Sequence, residues 1–220
     1  MTIEIVIPLL LILLLGLPHG AADILIAQRL FNNFFYLLIF SFTYLLITLI
    51  VILFWIKFPI TALILFIGIS ISHFGLMDTY KTKNLPLRKF RAAIYGATPI
   101  IIPSIFHTDA VDKIFSILLL TSYHDITNII NSFFPIWFIG GLLFLWKGGS
   151  ETNIELLEIY IIAVLLIILP PLWGFALYFC AIHSVRHSIN IFKSIRPLSK
   201  LDWMSLIFIF SISFLLVLSS

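Results

Sequence analysis

Long apolar runs follow one another along almost the whole chain, and only short polar segments separate them. These runs restrict the fold more than any single motif does. The chain has 220 residues, of which 61% are hydrophobic and 10% charged. Soluble domains carry about 45–50% apolar and about 25% charged residues, so water is the wrong solvent for this surface. A bilayer accepts it, provided that each backbone polar group is bonded internally, and helices meet that condition. The expected fold is an all-α, polytopic transmembrane helical bundle, with residues 1–220 forming one integral membrane domain.

The runs at 3–27, 34–56, 59–77, 92–106, 110–130, 133–146, 154–192 and 202–218 give about eight spans. Some fall short of the ~20 residues that an unkinked crossing needs. Pro99 and Pro103 lie in the fourth run. Ser122, Tyr123, His124, Asp125 and Asn128 interrupt the fifth, and the sixth ends at Lys147-Gly148-Gly149-Ser150. The seventh is too long for one straight crossing. It holds Pro170-Pro171, where the missing N–H groups predict a kink. The first run has no basic residue ahead of it, and its only early charge is Glu4. It ends in Gly16-Leu17-Pro18-His19-Gly20, not in a small-residue cleavage site, so it reads as a retained span.

The net charge is +3, and the basic residues gather at 79–91 and 193–200. With 79–91 in the cytoplasm, Arg29, Lys81, Lys83, Arg88, Lys89, Arg91, Lys193, Arg196 and Lys200 fall inside. Only Lys57, Lys113 and Lys147 fall outside. This bias agrees with the positive-inside rule and with insertion in the plasma membrane. A charge so small and confined to loops makes no electrostatic stripe for nucleic acid. The single cysteine, Cys180, excludes an internal disulfide.

Six histidines occur: His19, His73, His107, His124, His183 and His187. An ionisable group inside a span is costly and marks a candidate site. His183 and His187, four apart, share one face of a helix. His19 and His73 also lie late in their spans. Spans one, three and seven run in the same direction, so four imidazoles arrive in the cytoplasmic half of the membrane. That convergence makes a candidate metal site, with His19, His73, His183 and His187 as ligands. Asp23, four residues after His19, and Asp78, at the end of the third span, are candidate carboxylate partners for the ligands' second nitrogens. His124 is a reserve ligand or a supporting donor. Arg186, between two ligands, requires an acidic partner such as Asp23 or Asp78. His107 falls at the other side of the membrane and reads as interfacial or structural. Imidazole ligation admits zinc, copper, iron or nickel, and leaves an iron oxygenase and a zinc hydrolase both open.

Three stretches carry a resemblance. They are Gly16-Leu17-Pro18-His19-Gly20-Ala21-Ala22-Asp23, Ser72-His73-Phe74-Gly75-Leu76-Met77-Asp78, and Pro170-Pro171-Leu172-Trp173-Gly174-Phe175-Ala176-Leu177-Tyr178-Phe179 running into His183-Ser184-Val185-Arg186-His187. In this order they resemble the Brp/Blh family of membrane β-carotene 15,15'-dioxygenases, which supply retinal to microbial rhodopsins. The likeness runs from about residue 16 to 190. It implies iron(II) held by His19, His73, His183 and His187. It also implies cleavage of one β-carotene by dioxygen into two all-trans-retinal molecules, and a functional link to a retinal-binding rhodopsin. Pro103-Ser104-Ile105-Phe106-His107 resembles a further stretch of the family, but Thr108 stands where a proline usually follows. The chain also ends sooner after His187 than is usual for the family, so a more open wall of the substrate cavity is expected.

For that reaction the polyene would enter from the bilayer, and Phe74, Trp173, Phe175, Tyr178 and Phe179 would line its path. No side chain is assigned as acid, base or nucleophile. Two other classes compete. A desaturase- or hydroxylase-like membrane oxidase with two metal ions needs about eight histidines in several clusters, against the six present here. A non-enzymatic haem or metal binder would need only part of the set.

Overall fold

A computed structural model describes residues 3–31, 33–82, 84, 87–119, 125–147 and 150–194. The side chains of 3–4, 15–25, 81, 125, 144–147, 150–152, 192 and 194 lie outside the described set. Every regular element among the described residues is helical. Three stretches there are long and apolar enough to cross a membrane: Phe34–Lys57, Pro59–Asp78 and Ile126–Leu143. The chain divides into two compact units, Met1–Ile56 with Phe179–Ser220, and Lys57–Tyr178.

In the first unit, helix α1 spans Ile3–Leu30 and carries Arg29 in its last turn, where a cation complements the helix dipole. Asn33 then starts the next helix. Its side-chain oxygen accepts the Phe35 N–H at 2.9 Å, covering one of the donors that a helix start leaves open. That helix, α2 at Phe34–Lys57, is apolar on all sides and has no buried residue.

In the second unit, α3 (Pro59–Asp78) begins with a proline, whose missing N–H costs nothing at a first helical position. A 3₁₀ turn at Tyr80–Thr82 leads on to α4, Arg88–Phe106. Two glycines decide how α3 and α4 meet. A Cβ on Gly75 would overlap the Ala92 carbonyl, and one on Gly96 would overlap the Ile71 carbonyl. The two backbones are therefore in direct contact, which only glycine allows.

Helix α4 starts four residues before the expected 92, so Arg88, Lys89 and Arg91 belong to its first turns and not to a loop. Arg91 is only 3% exposed. Its guanidinium pairs with Glu155 Oε2 at 3.1 Å and donates to the Thr82 carbonyl at 2.6 Å. The Thr82 hydroxyl also donates to Glu155. Arg91 is thus a buried structural charge, a correction to its reading as a loop residue that signals topology. Burial is tolerable because both charges are paired and further hydrogen-bonded.

The expected fifth span, 110–130, is not a single helix. It divides into α5 (Thr108–Leu119) and α6 (Asp125–Ser132). Thr127 of α6 bonds back to Asp112 of α5, which one straight helix would hold fifteen residues apart. Helix α7 (Phe134–Lys147) covers the expected sixth run, while the membrane-length stretch here, Ile126–Leu143, takes in most of α6 as well. Helix α8 (Ser150–Ile168) ends just before Pro170, and α9 (Pro171–Leu177) restarts with Pro171 at its first position. The predicted kink is therefore a full break. Beyond it a π turn at Tyr178–His183 runs into α10, Ser184–Ser194. The basic residues from 195 on and the expected eighth span, 202–218, lie outside the described residues.

Candidate metal centre

His73 lies in the last turns of α3, and Gly75, two residues on, is where that helix touches the backbone of α4. A close crossing at this point fixes the depth and rotation at which α3 presents His73. Asp78 closes the helix and is buried, not solvated as a helix end usually is. It accepts a hydrogen bond from the Tyr178 hydroxyl at 2.7 Å. Phe74 packs edge-on against Tyr178 with ring centres 5.6 Å apart, and tilted against Phe175 at 6.3 Å. In this unit, then, three of the five aromatic residues expected along the substrate path form one cluster at the end of α3. Trp173 is half-buried on α9.

In the other unit the π turn and α10 carry a stack of rings. Phe179 lies 5.8 Å from His183 with planes 23° apart, and His183 lies 6.3 Å from His187 with planes only 13° apart. The His183 ring is completely buried. The expected i, i+4 pair thus exists as two near-parallel imidazoles on one helical face. The Cys180 thiol donates to the Leu11 carbonyl at 3.4 Å, tying the π turn to α1, and α10 packs on α1, the helix whose backbone carries His19. The Ser184 hydroxyl, beside His183, is buried with no hydrogen-bond partner among the described residues. Arg186 is half-buried on α10.

The side chains of His19 and Asp23, and all of His124, lie outside the described residues. Among the described residues no three His, Cys, Asp or Glu side chains stand close enough together to hold a metal.

His107 has a role visible in the bonding. Pro171 has no N–H, so the Ile167 carbonyl four residues earlier loses its helical donor. His107, at the C-terminal cap of α4, bonds that carbonyl through Nε2 at 2.9 Å. Sequence reasoning had the proline pair and the histidine but no means of linking them. It missed the π turn altogether, since Tyr178-Phe179-Cys180-Ala181-Ile182-His183 contains neither proline nor glycine to signal an irregular helix.

Fold and site together define an all-helical, membrane-spanning protein with two stacked histidines, one fully buried, in a helix that begins with a π turn. Comparison with known proteins narrows that class. Residues 10–218 match the family model described as Beta-carotene 15,15'-dioxygenase. The β-carotene 15,15'-dioxygenase of Uncultured marine bacterium 66A03 is 31% identical over 199 residues, covering 87% of this chain and 70% of that protein. No solved structure matches. The chain belongs to the β-carotene 15,15'-dioxygenase family, and by that membership it is an enzyme of the carotenoid-cleaving dioxygenase type.

Proposed function

We propose that this chain, acting as one plasma-membrane domain, cleaves β-carotene at its central double bond with dioxygen and releases two all-trans-retinal molecules. One C=C bond breaks, and each half receives one oxygen atom as an aldehyde. Iron(II) held by His19, His73, His183 and His187, toward the cytoplasmic half of the membrane, would supply the redox chemistry through which dioxygen is used. The retinal would serve a retinal-binding rhodopsin.

The His183–His187 pair, with His183 fully buried, carries this reading, because it falls in the part of the chain that most resembles the family. Imidazole nitrogens suit iron(II), and near-parallel rings one helical turn apart present their donors from one face. The described residues supply two imidazoles here, with no third His, Cys, Asp or Glu side chain close enough to complete a metal site. The chain itself would bind and orient the polyene. A hydrocarbon this apolar partitions into lipid, so it would arrive between helices, with Phe74, Trp173, Phe175, Tyr178 and Phe179 excluding water from its path. Asp78 would act from beside these aromatics and not in contact with the polyene, since Tyr178 already occupies one of its oxygens.

The test is expression in β-carotene-producing cells, with extraction and chromatography of the pigment. Loss of colour with retinal accumulation supports the reading, and longer apocarotenals would place the cut at another bond. An unchanged pigment pool beside iron-loaded protein would refute it, as would full activity in a His183→Ala/His187→Ala double variant. A strong visible haem band in the purified protein would favour a haem binder, and two irons per chain a two-metal oxidase.

A further inference from the structure

Contacts inside the Lys57–Tyr178 unit fix the direction of its helices against α4. Helix α3 is antiparallel to α4. Gly75 lies against Ala92, and Ile71, one turn back on α3, lies against Gly96, one turn on in α4. Helix α7 is antiparallel to α4 as well. Trp137 Nε1 donates to the Ile94 carbonyl at 3.1 Å and to the Thr98 hydroxyl at 3.0 Å. Gly140, further along α7, lies against the side chains of Ile94 and Phe90, further back on α4. Helix α8 is instead parallel to α4. Near its start Glu155 pairs with Arg91, and near its end the Ile167 carbonyl meets His107, which caps the end of α4.

These directions fix where the chain turns. It reverses once between α4 and α7, and α5 and α6, tied together by the Thr127–Asp112 bond, make that reversal where α4 ends. It reverses again between Lys147 and Ser150, where α7 has come back to the start of α4. Pro170-Pro171 makes a third reversal. Gly174, after the prolines, lies against Leu166, before them. Tyr178, past α9, then reaches Asp78 at the end of α3, beside the start of α4.

Two faces result, and charge separates them. One gathers the end of α3, the starts of α4 and α8, and the end of α7. It receives Lys81, Lys83, Arg88, Lys89, Arg91 and Lys147. The other gathers the start of α3, the α5–α6 reversal and the proline pair, and receives Lys57 and Lys113. Anionic headgroups of the cytoplasmic leaflet attract basic residues near helix ends, and carboxylates weigh little in that bias. The bias stands without Arg91, whose charge Glu155 balances. Tyr80, on the basic face, is exposed, as a ring at headgroup level is.

We infer that this unit runs outward through the bilayer in both α4 and α8, and that the face where both helices begin is set against the anionic headgroups of the cytoplasmic leaflet. Lys147 and Ser150 then share the cytoplasmic side with the basic segment 79–91, and Asp109 and Pro170-Pro171 stand on the opposite side. Counting eight successive crossings puts Lys147 outside. The parallel course of α4 and α8 moves it inside, because the fifth run reverses instead of crossing. Asp78 and Tyr178 come to lie at the cytoplasmic end, and His107 at the outer end.

The test is single-cysteine labelling of the full chain in spheroplasts with a membrane-impermeant maleimide. Asn84→Cys, Asp109→Cys and Ser150→Cys are each combined with Cys180→Ala, which removes the native thiol. Asp109→Cys should be labelled in intact spheroplasts. Asn84→Cys and Ser150→Cys should be silent there and should react fully once the membrane is permeabilised. Labelling of Ser150→Cys in intact spheroplasts as strong as that of Asp109→Cys would overturn the inference, since α8 would then start outside. Labelling of Asn84→Cys and Ser150→Cys with Asp109→Cys silent would reverse the orientation and overturn it equally. If the Cys180→Ala background does not fold, a short protease site inserted between Lys147 and Ser150 of the native chain carries the same expectation. Cleavage by added protease only after permeabilisation supports the inference, and cleavage in intact spheroplasts would overturn it.

Discussion

Helices α2 and α4 are built on opposite plans. All but a few side chains of α2 are apolar, yet none of its residues is buried. Helix α4 carries arginines, a threonine, a serine and two internal prolines, and twelve of its nineteen residues are buried, Arg91, Thr98 and Ser104 among them. In water the order would be reversed. In lipid an apolar side chain gains nothing by leaving its solvent, so helices associate through close backbone approach and polar contacts. Helix α4 has both: the Gly75–Gly96 crossing with α3, and polar ties through Arg91 to Glu155 and from Trp137 Nε1 to the Ile94 carbonyl at 3.1 Å. Hydropathy in this chain marks what lipid can cover. The small and polar interruptions mark where helices meet.

The hardest test of that contrast is at the glycines. Gly75→Val or Gly96→Val would force a side chain into a carbonyl of the neighbouring helix, with no flexible group able to yield. Ordinary overpacking costs about 1–3 kcal/mol, and a backbone obstacle should raise this beyond about 3 kcal/mol. Recovery of monodisperse protein in detergent, together with its thermal midpoint, measures the effect. Normal yield and midpoint would show that α3 and α4 do not touch through their backbones.

Next in size is the buried charge pair. Arg91→Ala takes the buried guanidinium away from Glu155, and should cost about 3–5 kcal/mol. The double replacement Arg91→Met/Glu155→Leu removes both charges and should recover most of that loss. Similar midpoints for Arg91→Ala and wild type would mean that water or a lipid headgroup reaches Glu155.

A smaller loss is expected at the proline break. His107→Ala leaves the Ile167 carbonyl without the donor that replaces the N–H missing at Pro171, at a cost of about 1–3 kcal/mol. His107→Gln, which keeps a donor, should restore part of it. Unchanged thermal midpoints in both variants would mean that another group satisfies that carbonyl.

These cases also show what could be read from the residues alone. Helical class and membrane-length runs were legible because backbone satisfaction in lipid leaves few alternatives. The break at Pro170-Pro171 was legible because proline acts locally. The histidine pair was legible because a spacing of four is a property of one helix. The start of α4 was not, because Arg91 reads as a loop charge until Glu155, 64 residues away, is brought beside it. Nor was the division of the fifth run. The polar residues from Ser122 to Asn128 interrupt it, but the bond that folds it back joins Asp112 to Thr127, fifteen residues apart. The π turn escaped notice because a change of helical phase leaves no composition signal.

The smallest expected effect tests the other side of the contrast. Leu45, Ile52 and Leu53 of α2 are each half or more exposed. If lipid covers them, truncation to alanine exchanges one hydrocarbon contact for another, and each variant should stay within about 0.5 kcal/mol of wild type. The same truncation at Leu166, fully buried in α8, removes packed atoms that nothing replaces and should cost about 2–5 kcal/mol. Thermal midpoints of the four variants in one detergent compare the two sites directly. A loss at Leu45 as large as that at Leu166 would mean that α2 packs on a protein surface and not on lipid alone, and its apolar character would then be that of an interface.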